Sequence, residues 1–192
     1  MPSSGRQSII GEACKNNLMT QTPQFYQFSL DFNPVTIVPE DSRRRTSYFK
    51  AFQELLKREK NKIQRWHRAG AGGREIVQAH TGLVDETMKH TATSLARTKK
   101  HTGSNILSEF ALIAVGGYGR GELNPHSDID LLFILPKKSV AANTNSFIQD
   151  FISLLWGIGL EIGHSVRQVK DCTVLAKEDT TIYTSMLDMR FL

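Results

Sequence analysis

A chain of 192 residues, 40% hydrophobic and 8% aromatic, is long enough for one domain with added helices and is ordinary for a globular protein. Its net charge of +5 suits a polyanionic ligand, but the basic residues fall in short clusters without aromatic interleaving, Arg43-Arg44-Arg45, Lys99-Lys100 and Lys137-Lys138. They read as solvated surface, so no nucleic-acid groove is expected. No run approaches the length of a membrane span, and no basic segment followed by an apolar stretch suggests a signal peptide, so no membrane association is expected. The two cysteines, Cys14 and Cys172, form no CxxC pair, which points to a reduced, cytoplasmic protein.

Residues 1–45 read as an irregular segment broken by Pro23, Pro34 and Pro39, with two apolar pieces, Phe25-Tyr26-Phe28 and Val35-Ile37-Val38, positioned to dock on a domain. Residues 46–105 read as a helical lead-in. Tyr48, Phe49, Phe52, Leu55, Leu56, Ile63 and Trp66 recur at helical spacing over 46–68, and Gly70, Gly72 and Gly73 stop that helix. A second helix is predicted over 74–97, with Ile76, Val77, Leu83, Val84, Met88 and Leu95 inward, followed by a loop at 101–105.

Residues 106–192 form the predicted core. Apolar runs at 110–115 and 129–135 read as strands. Only 13 residues separate them, with Pro125 and further turn formers among them. A parallel crossover needs a dozen or more residues and usually a full helix, so the two strands are predicted to be neighbours in a mixed or antiparallel sheet, which argues against a Rossmann unit. A helix is predicted over 143–158 and a third strand over 160–167, with His164 read as a buried, hydrogen-bonded histidine. Asp171 and Asp179 are expected to cap helices over 172–177 and 180–190.

The chemistry concentrates between the first two strands. Asp128 and Asp130 are two apart, which in an extended strand puts both carboxylates on one face, roughly 6–7 Å apart. Two such groups repel unless a cation lies between them, and an oxygen-only pair suits Mg²⁺. An aspartate inside an apolar strand is costly to bury without a partner. The turn at Gly116-Gly117 lies upstream, where backbone N–H groups meet phosphate oxygens. Arg120 has guanidinium geometry suited to phosphate, or caps the short helix. Ser127 contacts phosphate or caps a turn. The pattern describes a site for a metal–nucleoside triphosphate.

The segment GGYGRGELNPHSDIDLL, with ten residues between Gly117 and Asp128, resembles the catalytic signature of nucleotidyltransferases with the polymerase-beta-like fold. Together with LLWGIGLEIGHSVR (154–167) and SMLDMRFL (185–192), it is similar to the N-terminal nucleotidyltransferase domain of the PII uridylyltransferase/uridylyl-removing family. The resemblance implies an α+β fold, a small mixed sheet flanked by helices. It also implies transfer of UMP from UTP to a tyrosine of a PII-type signalling protein, with Mg²⁺ as cofactor. Carried onto this chain, it makes Asp128 and Asp130 the catalytic, metal-binding pair. Gly116 and Gly117, with Arg120 and Ser127, would bind the nucleotide. A third acid often joins the pair in the superfamily; Glu161, Asp171 and Asp188 are the candidates. The pattern is expected to be cut short relative to the family, without the HD-type phosphohydrolase and ACT domains that follow in it. Another nucleotide, another acceptor (protein, RNA end or small molecule) and a non-catalytic binding remnant remain the alternatives.

Overall fold

The computed structural model describes residues 30–102, 105–136 and 142–192, so Cys14, Phe25-Tyr26-Phe28 and Lys137-Lys138 lie outside the described residues. Helix α1 spans Ser42–Arg68. It starts earlier than its apolar repeat because Asp41 caps it, accepting from the Arg43 N–H at 3.0 Å. Gly70, at φ +104°, ends it. Helix α2, Gly73–Ala96, opens with Glu75 accepting from the Gly72 N–H at 2.7 Å. The two pack through Tyr48, Phe52, Leu55, Leu56 and Ile63 on one side and Leu83, Val84 and Met88 on the other. Val35 and Val38 join this core, whereas Ile37 is exposed. Thr87 and Thr91 lie fully buried because their hydroxyls donate back to the carbonyls of Leu83 and Thr87, at 2.8 and 2.6 Å.

Strand β1 (Ala111–Ala114) leads into the single helical turn α3 (Gly116–Gly119), then β2 (Ile129–Leu135), α4 (Ala142–Gly157), β3 (Ile162–Gln168), α5 (Val169–Glu178), α6 (Thr180–Leu187) and β4 (Arg190–Phe191). The sheet order is β3-β2-β1-β4, with β2–β3 parallel and both other pairings antiparallel. This is the mixed sheet the short β1–β2 connection predicts. Along β2, Ile129, Leu131, Phe133 and Leu135 are buried, and Phe133 meets Phe151 of α4 edge-on with ring centroids 6.3 Å apart. Asp130 points to the other face, where α6 flanks the strands.

Three expectations fail locally. Gln168, not Asp171, is the N-cap of α5, because β3 runs into that helix without a loop. Asp171 instead accepts from the Gln168 N–H at 3.2 Å, from the third position of the helix. Asp179 does cap α6, accepting from the Thr181 N–H at 2.7 Å, but the helix stops at Leu187. The chain then forms β4, whose two residues are too few to show an alternation in sequence. His164 is exposed rather than buried, and packs edge-on against Trp156 with centroids 6.0 Å apart.

β4 can reach β1 only because residue 119 has no side chain. A Cβ there would overlap the Asp188 carbonyl oxygen and fall 2.9 Å from that of Ala114. Gly119→Ala should therefore cost about 2 kcal/mol or more in urea unfolding, whereas Gly117→Ala, whose Cβ would meet nothing closer than 3.6 Å, should leave stability unchanged or slightly raised.

His80 is 5% exposed, and beyond a contact with the Leu123 backbone its ring nitrogens have no hydrogen-bond partner. Burial, with Lys60 and His126 nearby, lowers its pKa to about 4. The native state therefore keeps His80 neutral while the unfolded chain protonates it near its ordinary pKa. Its contribution is complete above that ordinary value and is lost as pH falls towards about 4. Urea midpoints should drop across this window by up to about 3 kcal/mol equivalent, and His80→Gln should flatten the drop.

Candidate active site

The site is built where β1 ends. Val115 is still extended and its N–H donates to the Asp130 carbonyl at 3.2 Å, tying the end of β1 to the head of β2. Gly116 then takes φ +58°, a backbone state that a side chain would disfavour, and the chain turns. Gly119 and Arg120 donate back to Val115 and Gly116, and Glu122 N–H closes on the Gly117 carbonyl at 2.9 Å. A first helical turn leaves its leading N–H groups without intrahelical acceptors, here those of Gly116 and Gly117.

Asp130 sits between two stretches of bare backbone. A Cβ on Gly116 would lie 3.8 Å from its Oδ2, and one on Gly163 would lie 2.5 Å from its Oδ1. Gly163 is the register partner of Asp130 on the parallel neighbour β3. Motif reading missed it; the available signal was a glycine inside a strand, which marks a close approach. Burial, and next the charge of Asp128, push the Asp130 carboxyl above its ordinary value. The two acids of the motif are therefore electrostatic neighbours at the head of β2, where Asp128 is exposed. Asp130 lines a cavity of about 280 Å³ whose other walls include Ser165 and Arg167 of β3 and Thr181 and Ser185 of α6.

The remaining candidates divide. Arg120 stands beside the glycine turn, its guanidinium 3.8 Å from where a Gly117 Cβ would be. It is shared between two carboxylates, donating to Asp188 at 2.6 Å and to Glu122 at 3.3 Å. Ser127 lines a different cavity from Asp130, as does Glu161. Asp171 is engaged at the start of α5 and Asp188 with Arg120. Among the described residues no group of three or more His, Cys, Asp or Glu side chains forms a metal cluster. The donor set is thus two carboxylates, one of them held up in pKa by burial and by the charge of the other. That fits a hard divalent cation such as Mg²⁺, which is commonly bound by one or two carboxylates together with phosphate oxygens and water.

The glycine turn is held from outside its own sequence. The Tyr118 hydroxyl, fully buried, donates to Asp85 of α2 at 2.7 Å. Arg190 of β4 grips the same carboxylate with two bonds of 2.9 and 3.0 Å and donates to the Tyr118 and Gly119 carbonyls at 3.1 and 3.3 Å. Its guanidinium also lies 5.2 Å from the Tyr118 ring centroid. Neither Asp85 nor Arg190 belongs to the glycine–aspartate motif, although Arg190 lies in the segment SMLDMRFL that carries part of the resemblance.

Comparison with known proteins agrees with this geometry. A family model described as a nucleotidyltransferase domain matches residues 98–180. The bifunctional uridylyltransferase/uridylyl-removing enzyme of Nitrosospira multiformis is 37% identical over 147 residues, which is 74% of this chain and 16% of that protein. The Pseudomonas putida enzyme of the same name is 39% identical over 140 residues, 73% of this chain and 15% of the relative. That of Cupriavidus metallidurans is 47% identical over 106 residues, 55% and 12% of the two lengths. The chain therefore spans no more than 16% of the length of these relatives. With the sheet, the glycine turn and the paired aspartates in place, the chain belongs to the nucleotidyltransferase domains of the bifunctional uridylyltransferase/uridylyl-removing family.

Proposed function

We propose that this chain is a Mg²⁺-dependent nucleotidyltransferase that transfers UMP from UTP to a tyrosine hydroxyl of a PII-type signalling protein in the cytoplasm. The observation that carries the reading is the Asp130 carboxylate, set between the backbones of Gly116 and Gly163 with Asp128 beside it. The name borne by the relatives supplies the uridylyl group. No helix among the described residues is long and apolar enough to cross a membrane.

Asp128 and Asp130 would hold Mg²⁺, which supplies positive charge to the α-phosphate and to the departing pyrophosphate. Gly116 and Gly117 present N–H groups to the triphosphate without side chains in the way. Arg120 completes the nucleotide contacts in this reading by exchanging a carboxylate partner for a phosphate. Asp130, which lines the cavity beside α6, is also the carboxylate placed to accept the proton of the attacking hydroxyl. The hydroxyl oxygen forms its bond to the α-phosphorus, the bond to the bridging oxygen breaks, and pyrophosphate leaves with the electron pair.

Incubation with labelled UTP, Mg²⁺ and a PII protein tests this. Label should appear on the PII tyrosine, and Asp130→Asn should reduce the rate by about 100-fold or more while leaving the urea midpoint near that of the unaltered chain. Label on an RNA end or a small molecule would replace the acceptor. Binding of Mg–UTP without transfer would make the chain a nucleotide-binding remnant.

A further inference from the structure

A second cavity, of about 260 Å³, opens on the opposite face of the sheet. Alternation along β2 separates the two: Asp130 lines the cavity beside α6, while Ile129 lines this one. Its polar walls are Lys60 of α1, His80 of α2, His126 and Ser127 of the turn before Asp128, and Glu161 before β3. The informative member is His80. Its side chain is nine-tenths buried, yet beyond a contact with the Leu123 backbone its ring nitrogens have no partner. A buried polar group is almost always hydrogen-bonded, and an orphan in a cavity wall marks the place of a missing partner.

The surrounding charges say what that partner is. Lys60 makes no ion pair or hydrogen bond among the described residues, and its ammonium sets positive potential at the imidazole. Ser127 adds a hydroxyl donor. Glu161 is the one acidic side chain facing the cavity, and it is exposed. A cation here would meet an ammonium and hydrogen-bond donors, whereas a compact anion would satisfy them together.

We propose that this cavity binds a small phosphate-type oxyanion, held by the Lys60 ammonium, an N–H of His80 and the Ser127 hydroxyl, at a site separate from the Asp128–Asp130 pair. Because Ser127 directly precedes Asp128, an occupant fixes the turn from which the first acid of the motif projects. The site is independent of the identity of the transferred nucleotide and of its acceptor. Two sources share this chemistry: free inorganic phosphate, and the pyrophosphate that nucleotidyl transfer releases.

The test is a titration of the 192-residue chain, without divalent metal, with inorganic phosphate and separately with pyrophosphate, following the His80 ring signals by NMR. A saturable shift is expected. Lys60→Ala, an exposed position on α1, should weaken binding by about tenfold or more, while Asp130→Asn should leave it within about twofold. Tighter binding of pyrophosphate would assign the site to the reaction product, and equal binding of the two would assign it to free phosphate. His80 signals that do not move with either ion at tens of millimolar, or that move equally in Lys60→Ala, would overturn the proposal. Because Lys60→Ala leaves the buried His80 in place, a folding defect in His80→Gln would not blunt the test.

Discussion

A carboxylate in the middle of α2 and a guanidinium from the final short strand meet across the phenol of Tyr118, and the geometry of the site depends on that meeting. A turn made of Gly116, Gly117 and Gly119 has almost no side chains with which to hold itself. Its conformational entropy is high and its freedom has to be removed by neighbours. Asp85 and Arg190 do this at the one residue of the turn that has a side chain, with a bidentate pair, a hydroxyl bond and two carbonyl contacts. Each partner satisfies the others, so loss of any one leaves a half-buried charge or a buried hydroxyl exposed to desolvation without compensation. Bidentate geometry matters here, since a lysine at position 190 could not span both oxygens and both carbonyls.

Absence of side chains is also what shapes the environment of Asp130. Glycine on either side lets the carboxylate lie against backbone, partly withdrawn from water and close to Asp128. Both circumstances disfavour the charged form, and both are relieved by a cation or a proton. The proposed metal binding and proton acceptance both draw on this placement. On the far side of the sheet the turn carrying Ser127 is shared with the His80 cavity, so one short segment, residues 125–128, touches both faces.

Much of this was legible in the residues. The helices α1, α2 and α4 show their apolar repeat because each has a single buried face, and β1 and β2 show as apolar runs because both are interior strands. The paired aspartates stand out because they open an otherwise apolar run, Asp128 just before β2 and Asp130 within it. What could not be read depends on distance or brevity. Asp85 and Arg190 are 105 residues apart, and β4 has two residues. The role of Gly163 follows only from its register with Asp130. Asp171 has the composition of a cap but misses that position because β3 continues directly into α5. Ser127 and Glu161 have the right composition and the right neighbours in sequence, yet they lie in the loops that lead into β2 and β3 and line the other cavity.

The central claim is geometric: one divalent ion, held by Asp128 and Asp130, lies against the backbone of Gly116, Gly117 and Gly163. Paramagnetic broadening by Mn²⁺ in the presence of UTP measures this directly on the amide signals of the chain. The amides of Gly116, Gly117, Asp130 and Gly163 should broaden first and together, the His80 ring signals on the other face should broaden later, and Asp130→Asn should abolish the effect. Broadening centred elsewhere, or unchanged in Asp130→Asn, would contradict it.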